Sequence, residues 1–462
     1  MRGLSTDVFS AIVASVRAVC QSLKFIQMKI VRSKTLLPEA LVLGCLALCL
    51  VFPAYGKWHE VDGVDTLVNF NGKNGAQPQS VLEDSAGNFY GTTLSGGKYG
   101  KGTVYEILQD GQLVTLVNFN GANGSAPEAG LVLGPDGSLY GTTKTGGTDG
   151  KGTVFRISPD GKFSTVVSFA GNNGSNPDSG LFLTKDGSIY GSTLNGGADG
   201  KGTIFKISPN GKLTTVFSFN GLNGSNPGSL ALGNNGDYYG TTNKGGSADK
   251  GTLFDITPDG RLTILVTFSG PNGAFPVSGL IVAEDGTFYG ATLDGGKNNL
   301  GTVYKFTSDG KFSTVVSFNG TNGSHPDSGL VEWSNGYFYM VRLMQNILVK
   351  SANVQWAGDN FCGTTSSGGT NGIGTVYRVG DDGQLVTLVS FSGERGIDLG
   401  ANPNCLVPGE DGNLYGTTTY GGHDSLGTVF RLQLQLWILP VDGSDVSGDA
   451  GYHDFKPHPV SP

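Results

Sequence analysis

Histidine, tryptophan, methionine and cysteine are all scarce in this chain of 462 residues, with five, four, four and five copies respectively. So few histidines and cysteines leave little from which to build a zinc site, and neither a CxxC pair nor a Cys/His metal spacing occurs. Charge is sparse as well: Asp, Glu, Lys and Arg together supply 15% of residues, with a net charge of −8. An acidic chain without a basic face is a poor partner for a phosphate backbone, so nucleic acid is excluded. No run of like charge suggests a polyelectrolyte tail, and no helical period runs through the region from Asp65 to Leu432.

Glycine, by contrast, fills 77 positions, and aromatic residues reach 10%. The strict collagen triplet is absent, while aromatic and β-branched residues return on a schedule that disordered chains lack. The schedule is a repeat. "DGSLYGTTKTGGTDGKGTVFRISPDGKFSTVVSF" (Asp136–Phe169) comes back as "DGSIYGSTLNGGADGKGTIFKISPNGKLTTVFSF". Segments of the GT[VIL][YF] type begin at Gly102, Gly152, Gly202, Gly251, Gly301, Gly374 and Gly427. That makes seven copies, most of them 49 or 50 residues apart.

Each copy contains four strand candidates. In the third these are Ser179–Leu183, Ser188–Thr193, Gly202–Ser208 and Leu213–Phe219. Turns with glycine at a positive-φ position (Gly187, Gly211) join the first to the second and the third to the fourth. Alternation on the third strand sets Phe205 and Ile207 against Ile204 and Lys206. Four antiparallel strands per copy, seven times over, predict an all-β, seven-bladed β-propeller with blades of about fifty residues. The ends fit: "DTLVNF" (Asp65–Phe70) matches a fourth strand, and the last copy stops after its third, "GTVFRL" (Gly427–Leu432). One N-terminal and three C-terminal strands would then share a blade and close the ring. Gln433–Pro440 is a rival for that fourth place.

The flanks read differently. Residues 1–56 join Lys24, Lys29, Arg32 and Lys34 to the apolar run Leu41–Phe52 and the small residues Ala54–Gly56. This is a secretory signal peptide, or an uncleaved N-terminal membrane anchor, with Met28 as an alternative start. Residues 57–432 form the propeller, and 433–462 a C-terminal tail. The sixth copy offers its second strand twice, within Gly329–Met340 and again within Ala357–Thr365, where Cys362 replaces the repeat's tyrosine. The surplus near 340–362 reads more simply as a duplication than as a functional graft. Cys362 and Cys405 are the cysteines of the mature chain, either bridged in an oxidising compartment or buried as thiols.

The long repeat, "G-L-V-x-x-x-D-G-x-L-Y-G-T-T-x-x-G-G…G-T-V-F-R-I", resembles the GloVer-type tandem repeat of exported bacterial proteins, over roughly Asp65 to Leu432. The resemblance implies an exported, propeller-like protein without an assigned activity. A looser likeness connects "PDGxLY" and "GTVFRISPDG" to NHL-type and streptogramin-lyase-like propellers.

Topology puts the short turns on one face and the long loops on the other, so the long-loop face is the candidate surface. Its chemistry is thin. His325, His423, Glu394 and Asp398 are the candidate catalytic groups, and Asp149, Asp199, Asp249, Asn173 and Asn223 the candidate binding residues. Ca2+ is the only cofactor those loop carboxylates would suit, and their number per loop is low. Charges on the third strands (Glu106, Arg156, Lys206, Asp255, Lys305, Arg378, Arg431) change sign between copies, so no uniform charged ring follows. Near-identical copies favour a non-enzymatic, monomeric binding or scaffold module for a glycan, peptide or protein. A lyase, lactonase or glycan hydrolase with its site near blades six and seven is the alternative.

Overall fold

The computed structural model describes residues 63–276, 279–332, 360–392 and 400–433. The expected leader, most of the sixth-copy surplus, and the tail beyond Gln433 lie outside these residues. Among the described residues every regular element is a β-strand. They form seven antiparallel sheets, one per copy, arranged as the blades of a propeller: 76–118, 132–168, 182–218, 225–267, 274–317, 331–390, and 401–433 joined by the N-terminal strand. In blade three the strands are Phe182–Leu183, Ile189–Thr193, Thr203–Ile207 and Leu213–Ser218, paired in chain order. The first is shorter than its sequence suggests. The Gly180 N–H donates to Ser229 Oγ of blade four at 3.0 Å, so the chain is tied to the next blade before it joins its own sheet.

The third strand is buried on both sides. Phe205 packs with Val154, Phe169 and Leu181 towards blade two, while Ile204 packs with Phe219, Leu230 and Phe254 towards blade four. Lys206 alone reaches the rim, its ammonium 5.2 Å from the centre of the Tyr190 ring. Alternation on such a strand therefore separates two neighbours rather than core from solvent. The repeat aromatics continue this pattern from blade to blade, as in Tyr190–Tyr238, Tyr239–Phe288 and Tyr289–Phe361, with ring centres 4.5, 4.1 and 4.2 Å apart. Fully burying one such ring contributes about 1.5–3 kcal/mol.

Two polar devices explain the invariant letters. The second threonine of each YGTT segment meets the threonine of the GT[VIL][YF] segment: Thr193 Oγ1 lies 2.9 Å from Thr203 Oγ1, and all seven blades have the pair at 2.8–2.9 Å. Both hydroxyls are buried, and their mutual bond avoids the penalty of an unsatisfied polar group. The glycine before the second threonine lies against a proline of the next blade. A Cβ on Gly152 would stand 2.5 Å from Pro177 Cδ, at a φ of +99° that disfavours side chains.

In the sixth blade Val331–Glu332 pairs with Asn360–Thr365, placing Val331 opposite Cys362. The later of the two candidate segments thus supplies the second strand, and Cys362 takes the tyrosine's buried place. Closure follows expectation. Gly63–Asn69 pairs antiparallel with Thr428–Gln433 and becomes the fourth strand of blade seven, the place for which Gln433–Pro440 competed. Arg431 donates to Asp65 Oδ2 at 2.6 Å across this joint.

Candidate functional site

First strands of neighbouring blades touch one another, for example Phe182–Leu183 with Ser225–Leu232, so they form the inner wall of the ring. Where that wall meets the long-loop face, two positions per blade sit beside each other across the first strand pair. One precedes the proline: Gln77, Ala126, Asn176, Asn226, Phe275, His325 and Asn402, all with φ between 54° and 58°. The other follows the paired threonine by two: Ser95, Thr145, Asn195, Lys244, Asp294, Ser367 and Tyr420. Main-chain bonds fix both. The N–H of each pre-proline residue donates to a carbonyl of the preceding blade, as His325 does to Leu300 O at 2.9 Å. The carbonyl of each second residue accepts the threonine hydroxyl, as Asp294 O does from Thr292 at 2.9 Å. With the backbone held this way, the side chains vary freely around the ring.

At three of the joints these side chains bond to one another, forming parts of a collar. Gln77 Nε2 donates to Tyr420 Oη of blade seven at 3.4 Å, and Ser95 donates to Gln77 Oε1 at 3.1 Å. Asn195 Nδ2 donates to Asn176 Oδ1 at 3.2 Å. His325 links two blades: Nδ1 is 2.9 Å from Ser367 Oγ of blade six, and Nε2 is 3.4 Å from Asp294 Oδ1 of blade five. Just inside the collar, Lys144 pairs with Glu128 at 2.6 Å and lies 4.0 Å from Asp178. Burial pushes the Asp178 carboxyl up to about 7, partly countered by Lys144, and burial does the same to Asp327.

The other expected site residues are scattered. His423 lies on the second long loop of blade seven, its N–H donating to Asn69 Oδ1 and its Nδ1 3.0 Å from its neighbour Asp424. Among the described residues it shares no partner with His325, and Glu394 and Asp398 lie outside those residues. Asp149 and Asp199 are exposed. Asp249 is not their counterpart: at φ 52° it stands where Gly150 and Gly200 stand, and its Oδ1 accepts the Gly245 N–H at 2.9 Å. Asn173 and Asn223 turn their amide oxygens onto the main-chain N–H of Ala170 and Asn220, each at 2.9 Å, which makes them turn formers. Among the described residues no three His, Cys, Asp or Glu side chains gather as a metal site. Cys362 and Cys405 are unbonded thiols, and burial pushes the former up to about 12. Two of the third-strand charges find partners within their own blades, Arg156 with Asp136 at 2.8 Å and Glu106 with Tyr90 Oη at 2.8 Å, while Lys305 Nζ reaches Asp381 O of blade six at 3.5 Å.

The repeat pattern behind this collar matches the Gloeobacter/Verrucomicrobia repeat over residues 57–233 and 159–347. The chain belongs to this family. No curated protein matches the sequence of this Gloeobacter/Verrucomicrobia repeat protein. Among solved structures, virginiamycin B lyase from Staphylococcus aureus is similar over 80% of this chain and 98% of its own, at 12% identity and a TM-score of 0.52. The extracellular domain of BT4673 from B. thetaiotaomicron, described as a two-component system protein, is similar over 79% of this chain and 39% of its own. Its identity is 14% and its TM-score 0.53. Likeness at such identities establishes the propeller and leaves activity to the site itself.

The collar escapes a reading of the sequence except at His325. Its signal is the residue before each repeat proline, whose type changes from blade to blade while its backbone does not.

Proposed function

We propose that this repeat protein is an exported binding module that takes a glycan on its long-loop face. The observation that carries the reading is the collar: near-identical blades present a chemically varied ring of side chains where the first strands meet that face. Its amides, hydroxyls and carboxylates offer paired donors and acceptors of the kind that vicinal sugar hydroxyls need. Tyr420, 48% exposed, adds an aromatic face for a sugar ring. Titration calorimetry of the purified chain against a panel of oligosaccharides tests this. Binding is expected, weakened about tenfold by Tyr420→Ala and by Asn195→Ala. A panel without a single binder, or binding indifferent to both substitutions, overturns it.

Export rests on the basic region and apolar run of residues 1–56. Expressed in a bacterial host, the chain is expected outside the cytoplasm. Recovery of the intact chain in the cytoplasm alone would sink the export reading.

A further inference from the structure

We propose that the collar at the joint of blades five and six is an acyl-transfer centre, with Ser367 as nucleophile, His325 as general base and Asp294 as its positioning residue. This goes beyond glycan binding and does not depend on it. The three side chains come from separate parts of the chain: the end of the second strand of blade five, the crossing into blade six, and the long loop of blade six. Ser367 Oγ lies 2.9 Å from His325 Nδ1, within reach for proton transfer. Asp294 Oδ1 lies 3.4 Å from the opposite ring nitrogen, where it holds the N–H on Nε2 and stabilises the imidazolium that forms.

The supporting shell is rigid. Ser324 and Ser367 form an antiparallel bridge, and the Ser324 hydroxyl stands 3.0 Å from Ser367 Oγ. The His325 carbonyl accepts both the N–H and the hydroxyl of Ser366, at 3.2 and 3.0 Å. The His325 and Asp294 side chains remain 38% and 30% exposed, so a substrate can reach them from the long-loop face. Equivalent places elsewhere in the collar hold Ser95 with Gln77 and Asn195 with Asn176, the same contacts made by side chains that cannot accept a proton at neutral pH. Only this joint exchanges the amide for an imidazole and sets a carboxylate behind it.

The substrate class is a carboxylic ester. Ser367 Oγ adds to the carbonyl carbon as its proton passes to His325 Nδ1. The bond to the alcohol oxygen breaks, and the alcohol leaves with that proton. Water then adds to the acyl-serine, giving a proton to Nδ1. Collapse returns that proton to Ser367 Oγ and releases the carboxylic acid.

The test uses the full chain, with a fluorophosphonate as active-serine probe and p-nitrophenyl acetate as ester. Mass spectrometry is expected to find one adduct, on Ser367, and the ester should be hydrolysed well above the buffer rate. Ser367→Ala should abolish the adduct and reduce hydrolysis to the buffer rate. His325→Asn keeps a residue that the same turn accepts at Asn176, Asn226 and Asn402, so the blade should fold, and it should cost about a hundredfold in rate. Asp294→Asn should lower kcat without changing KM. Ser158→Ala, on the short-turn face, should change nothing. No adduct, an adduct on a different serine, or hydrolysis unaffected by Ser367→Ala would overturn the proposal.

Discussion

Asp327 shows how a single side chain couples this fold to pH. Its Oδ1 is buried and has no hydrogen-bond partner among the described residues, and burial pushes its carboxyl up to about 7. Across the interval from the ordinary carboxylate range to about 7, the folded chain keeps a proton that the unfolded chain has released. The stability this contributes is therefore present at acid pH and is lost as pH rises towards 7. Asp327→Asn should accordingly raise Tm at pH 8 by several degrees and leave it nearly unchanged at pH 4, as read by calorimetry at both values. An equal effect at the two values would contradict the account. Nothing in the sequence marks this residue, because Asp178 and Glu128 occupy the same place in other copies with Lys144 beside them. The pre-proline collar was hidden for a related reason. A residue before proline is expected to be extended, whereas all seven here have positive φ, and a type that ranges from Phe to His gives no periodic signal.

At the scale of strands and joints, the period and the antiparallel pairing were legible because glycine-bearing turns and β-branched runs recur together. The joints were not. The Gly152–Pro177 contact lies between residues whose letters each read as local turn formers, and the paired threonines read only as strand formers. Contact between blades gives such letters their second meaning. Gly152→Ala should destabilise the protein by about 2–4 kcal/mol, from the clash with Pro177 and Thr143 O together with the strained φ. Gly150→Ala, also at positive φ but with nothing within 4 Å of the added carbon, should cost only about 1 kcal/mol. Thermal unfolding of the two variants side by side separates packing from backbone strain, and equal losses would remove the joint from the explanation. A repeated kink in the pairing of the third and fourth strands, as between Ile204 and Phe205, also had no signature in the sequence. It inserts a residue into each outer strand and increases the local twist.

For the molecule as a whole, the seven-blade count and the shared last blade followed from where the repeat begins and stops. The chemistry of the mouth did not, because it lies in the differences between copies rather than in what they share. Closure also sets an order in time. Asp65 is bonded to a residue 366 positions further along, so the first of the described strands has no partner until the last described strand exists. At roughly 5–20 residues per second of synthesis, that strand waits on the order of tens of seconds. Until then the growing chain carries an incomplete circle with an open edge at each end. A chaperone that holds those edges apart would keep the protein threadable, and the arrival of Thr428–Gln433 would end that period by locking the circle.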